Sequence, residues 1–202
     1  MSDKNRKDKL PSKSTILEYW VEHTCESYLA TDFDEAIKRC WRCSYKTSEL
    51  HRCHIIPESL NGKPEPQNLV LLCKRCHEQA PNVKDKEFMF SWIHATKIPH
   101  YDFEFKTKND NIFELIYKRS FLVELIKLCE LKDISEIFKQ ENIKNKIKSI
   151  IFSKTGNHYG QGLRSNQSTR AWVLNEVEKI FIKELKIKVP KDFITKPKKL
   201  TW

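Results

Sequence analysis

Glycine is scarce, with four residues in 202. That excludes collagen-like and low-complexity chains, and no stretch of the sequence repeats another. No apolar run approaches the roughly 18 residues of a membrane span. The most hydrophobic stretch, 121–131, is interrupted by Glu124, Lys127 and Glu130. The stretch Met1 to Lys9 is polar and lacks the apolar centre of a secretory signal. Acidic residues are in deficit, 27 against 37 basic ones. The resulting formal charge of +10 favours an anionic partner, most simply nucleic acid. A cytoplasmic, reducing location with no membrane association is the expectation. There, seven cysteines are better suited to holding metal than to forming disulfides.

What is present is concentrated between residues 40 and 77. Two CxxC pairs stand there, Cys40-Trp-Arg-Cys43 and Cys73-Lys-Arg-Cys76. Thiolates at i and i+3 on a tight turn can face one ion, and two such turns complete a tetrahedral site with bonds of about 2.3 Å. Cys40, Cys43, Cys73 and Cys76 therefore read as one closed structural zinc site. The 29 residues between the pairs exceed what a compact zinc ribbon needs, so a folded element is enclosed. Cys25 and Cys129 have apolar helical neighbours and are expected in the core.

The enclosed element reads as a hairpin. Glu49 to Ile56 has a strand pattern, Leu69 to Leu72 is a short apolar strand, and Asn61 to Pro66 is a loop marked by Gly62 and two prolines. Alternation puts His51 and Cys53 on one strand face and Arg52 and His54 on the other. A His at the end of such a strand can act as general base on water. A cation opposite it would bind a scissile phosphate and steady the leaving oxygen. Asn68 on the second strand could fix the hairpin or orient the base. His77, early in the next helix, could complete the ligand set of that cation.

The text Leu50-His-Arg-Cys-His-Ile-Ile-Pro57, then Gln67-Asn-Leu-Val-Leu-Leu-Cys73, then Lys74-Arg-Cys-His77 resembles the HNH endonucleases. The resemblance spans about residues 40–82, with looser agreement to about residue 96. It implies the ββα-metal fold, with His54 as general base, Asn68 as the central Asn of the motif and His77 as a ligand of the catalytic metal. The cysteines would be the structural zinc ligands found in many members. It further implies double-stranded DNA as substrate, with Mg²⁺ or another divalent cation such as Mn²⁺ as the catalytic ion. Restriction, homing and phage enzymes are the kinds of protein it suggests. One position departs. The residue before the base is usually His or Asp and binds the catalytic metal; here it is Cys53, a soft ligand poorly suited to Mg²⁺. His51 shares its strand face and could supply the donor instead. Cys53 also keeps open a non-catalytic, zinc-stabilised DNA-binding protein, and a nuclease acting on RNA is a third alternative.

The expected fold class is α+β: a zinc-braced ββα-metal module flanked by helices, with a mainly helical C-terminal region. Residues 1–13 carry seven charges and are expected to be disordered. Residues 14–96 form the nuclease module, and 97–202 a helical region suited to DNA binding or to a homodimer interface. Thr15-Ile-Leu-Glu18 is a capping-box pattern, opening a helix to about Leu29. Asp32 or Asp34 can cap a short helix before Cys40. Further helices are expected over Lys74–Gln79, Val83–Thr96 and Asn111–Leu131, and one opened by Ser135. The last starts at Ser168 or Thr169, with Leu174, Val177, Phe181 and Leu185 on one stripe. Trp20, Trp41, Trp92 and Trp172 suit core packing. Candidate nucleic-acid contacts are Arg52 on the His54 face, Arg164 and Arg170 near the last helix, and His158 in the Gly cluster at 155–162.

Overall fold

The computed structural model describes residues 10–97, 112–123, 138–156, 166–190 and 193. Helix α1 spans Lys13–His23 because Ser12, in extended conformation, accepts the Thr15 N–H at 3.0 Å. The cap thus lies three residues before the expected capping box. Thr24 turns extended and ends the helix at His23, short of Leu29. Cys25 therefore leaves the helical register that would have buried it, and it is exposed rather than in the core. Trp20 docks α1 on the hairpin, donating its indole N–H to the Leu69 carbonyl at 2.8 Å.

Strands β1 (His51–His54) and β2 (Leu69–Leu72) pair antiparallel, with His51 opposite Leu72 and His54 opposite Leu69. β1 is shorter than the expected 49–56. Beyond His54 the ladder gives way: the Ile55 N–H bonds the Asn68 carbonyl, and the Ile56 N–H bonds the Asn68 side chain. Helix α2 (Lys74–Gln79) follows directly. Helix α3 (Lys86–Thr96) starts after Val83, because Asp85 caps the Phe88 N–H at 3.0 Å while Val83 bridges Thr155.

Helices α4 (Ile112–Tyr117), α5 (Glu141–Lys154) and α6 (Gln167–Glu184) complete the described chain. The helix expected over 111–131 stops at Tyr117, where Lys118 (φ 56°) and then Leu122 (φ 60°) turn left-handed. Between them Arg119 points inward and makes a two-oxygen ion pair with Glu178, both side chains buried. The expected cap at Ser135 and the second half of the 111–131 helix lie outside the described residues. Helix α6 is capped by Asn166, whose Oδ1 accepts the Thr169 N–H at 2.9 Å.

One apolar core joins α1, both cysteine turns, the hairpin, α2, α3, α4 and the first turns of α6, and it takes in all four of the expected tryptophans. A smaller cluster of Leu122, Ile143, Val177 and Phe181 holds α5 against α6. The fold class is α+β, with six α-helices and one two-stranded antiparallel sheet among the described residues. Among those residues no helix is long and apolar enough to cross a membrane.

Candidate metal centre and active site

The first cysteine turn is closed by Ser44, left-handed at φ 57°, whose N–H bonds the Cys40 carbonyl at 2.9 Å. The Trp41 N–H bonds the Leu71 carbonyl at 3.0 Å, fixing this turn to β2. The second turn needs no separate device. Cys73 immediately precedes α2 and Cys76 lies in its first turn. All four sulfurs are buried and lie within 4.8 Å of one another, with Cys43 and Cys73 at 3.8 Å. Four thiolates held about 2.3 Å from one zinc ion stand about 3.8 Å apart, so the cluster fits the ion.

Burial and crowding also set the protons of these thiols. Burial pushes the Cys40 thiol well up. Hydrogen bonds from Cys40 and its neighbours hold Cys73 below the usual thiol range and Cys76 above it. At this spacing one thiolate is stabilised at the expense of the next, and a divalent cation is what allows all four to ionise together.

Next to Cys76 on α2, His77 meets His51 of β1. Their Nδ1 atoms are 3.1 Å apart, with the rings edge to face at 86°. That is hydrogen-bond distance, and two imidazole nitrogens at about 2.1 Å from one ion also stand about 3.0–3.4 Å apart. Both rings are half-buried, as is His54 at the end of β1. Cys53 lies between the two histidines in sequence but is fully buried, and burial pushes its thiol up. Its S–H points to the His54 carbonyl at 3.5 Å.

Asn68 holds the chain that leaves His54. Its Oδ1 accepts the Ile56 N–H at 2.9 Å, and its Nδ2 donates to the carbonyls of Ile56 and Lys63 at 3.1 and 2.9 Å. Of the two sequence readings of Asn68, these bonds match fixing the hairpin. Gly62 completes the device: a Cβ there would lie 1.7 Å from the Ile56 carbonyl oxygen and 2.8 Å from Asn68 Nδ2. In the sequence Gly62 marks only a loop.

The candidate nucleic-acid contacts are spread out. Arg52 donates from Nη1 to the carbonyls of Leu10 and Pro11, both at 3.2 Å, tying the start of the described chain to β1. Arg170 is exposed in the first turn of α6. His158 and Arg164 lie outside the described residues. The sequence reading missed what the start of α6 does for α2. Asn166 donates to the Ala80 carbonyl at 2.6 Å, and Ser168 to that of Gln79 at 2.8 Å. The end of the helix that carries His77 is thereby capped from almost ninety residues away. Asn166, Ser168 and Thr169 are visible in the sequence as cap-type residues, but their distant target is not. Arg42, inside the first cysteine turn, was also unread, although it is fully buried.

Residues 38–82 match the family model described as HNH endonuclease. No curated protein and no solved structure matches the chain.

Proposed function

We propose that this HNH module hydrolyses phosphodiester bonds of double-stranded DNA as a metal-dependent endonuclease, with His54 as general base. The observation that carries the reading is the 3.1 Å pairing of His77 with His51, the first residue of the strand that ends at His54. A divalent cation, when bound, supplies charge stabilisation at the phosphate and at the leaving oxygen. His51 and His77 would hold it, with His51 taking the place the family usually gives to the residue before the base. Two imidazoles without a carboxylate favour a first-row transition ion over Mg²⁺.

His54 takes a proton from the attacking water as its oxygen bonds to phosphorus and the bond to the sugar oxygen breaks. Asn68 and Gly62 keep the backbone after His54 in place, so the base meets the phosphate from a fixed direction. A zinc ion in the four-cysteine site would brace the hairpin to α2, and so the base to His77. Phosphate contacts outside the site fall to Arg170, with Arg164 and His158 from the segment before it. Arg52, whose Nη1 is committed to the Leu10 and Pro11 carbonyls, is a weaker candidate.

Supercoiled plasmid incubated across a series of Mg²⁺, Mn²⁺, Co²⁺ and Ni²⁺, followed by sequencing of the ends, tests this. Cleavage is expected, fastest with a transition ion. Nicked against linear product reports whether two copies act together on the two strands. Binding of the plasmid without cleavage by any ion would favour the DNA-binding reading. Preferential loss of a single-stranded RNA competitor would favour the ribonuclease.

A further inference from the structure

The first cysteine turn carries a charge that the zinc-site motif does not require. Arg42 lies between two of the four cysteines, and none of its surface is exposed. Its Nε donates to Thr96 Oγ1 at 2.8 Å, and its Nη1 to Gln79 Oε1 at 2.8 Å. The same Nη1 lies 3.6 Å from Cys76 Sγ, within the range of an N–H···S bond. The guanidinium carbon stands 4.3 Å from the centre of the Trp92 ring. Thr96 is itself oriented by donating to the Trp92 carbonyl at 2.6 Å. One buried cation therefore touches a cysteine of the cluster, the end of α2 and two residues of α3.

A buried guanidinium is costly unless each face is matched by an acceptor, a ring or an opposite charge. Thr96, Gln79 and Trp92 match part of it. The cysteine cluster adds an electrostatic match: four thiolates around a Zn²⁺ ion would carry a net charge of −2, and all four cysteines are buried beside the guanidinium. An N–H···S bond drains electron density from the sulfur it reaches, which makes that thiolate a weaker target for protons and electrophiles. Lysine could supply the charge but not a planar fork that reaches Thr96, Gln79 and Cys76 together.

We infer that Arg42 is a positioning residue for the zinc thiolates: it holds and partly neutralises Cys76 and fastens the metal site to α3, beyond the segment that matches the family. The inference rests on the reading of the four cysteines as a zinc site. Its consequence is kinetic. Zinc should leave the Arg42→Met protein about 10–100-fold faster than the wild type when a chromophoric chelator is in excess, the range typical for loss of a partner to a metal ligand. Arg42→Lys should fall between the two, and it carries the test if the methionine variant does not fold. Thr96→Val separates this role from simple packing. It removes the Nε bond to α3 but leaves the Trp92 ring and the N–H···S contact, so it should lower the melting temperature while releasing zinc at the wild-type rate.

Cobalt-substituted protein gives a second readout. The sulfur-to-cobalt charge-transfer band should shift in Arg42→Met and Arg42→Lys, and stay in place in Thr96→Val. Wild-type release rates and an unshifted band in both Arg42 variants would overturn the inference, as would equal acceleration by Thr96→Val. A wild-type protein that holds no zinc would instead overturn the zinc reading, and the inference with it.

Discussion

If the His51–His77 pair holds the catalytic cation, as proposed, removing either ring leaves that ion with one protein donor fewer. His51→Ala and His77→Ala should therefore slow plasmid cleavage alike, and each should recover part of the rate as metal concentration is raised. Metal titrations of the cleavage rate check this. A His51→Ala protein with the wild-type metal dependence would place the donor elsewhere. Gly62 allows a different test. A methyl at 1.7 Å from the Ile56 carbonyl oxygen cannot be accommodated without moving the loop that Asn68 holds. Gly62→Ala should cost about 1–3 kcal/mol, as overpacking does, and an unchanged melting temperature would contradict that. The order His54, Asn68, His77 was legible because a motif preserves order, and strand alternation brought out His51 as a further donor. The need for glycine at 62 was not legible, because it is created by a carbonyl that only the folded loop brings near.

The helices separate into those whose limits are local and those whose limits are not. β2 and α2 have the boundaries expected from sequence: an apolar run and the second cysteine turn define them. α3 and α4 do not, because Val83 is drawn into a bridge with Thr155 and Arg119 into an ion pair with Glu178. Neither partner can be read from the neighbouring sequence. Glu178 also accepts the Leu122 N–H at 2.8 Å, so one carboxylate secures both the turn after α4 and the face of α6. Glu178→Ala leaves a buried guanidinium without its counter-charge, a loss of about 3–5 kcal/mol. Chemical denaturation should show that loss. Hydrogen exchange should show α5 and α6 losing protection while zinc content stays at the wild-type level. Unchanged protection in α6 would mean that the pair is not what holds this region.

For the whole molecule, the charge of +10 predicts how it would meet the DNA of the proposed function. Phosphate contacts release counterions, so affinity for duplex should fall steeply as salt rises. Removing residues 190–202, which carry four lysines and one aspartate, should flatten that dependence. An affinity that does not change with salt would contradict the electrostatic picture. In the proposed mechanism the general base is His54, which is not one of the four clustered cysteines. The most direct measurement is the single-turnover rate of supercoiled plasmid cleavage at saturating divalent metal, for the wild type and for His54→Ala. A loss of about 10²–10⁴ in rate is expected from removing a general base, with zinc content and DNA affinity unchanged. His54→Ala protein that cuts plasmid as fast as the wild type would contradict the assignment.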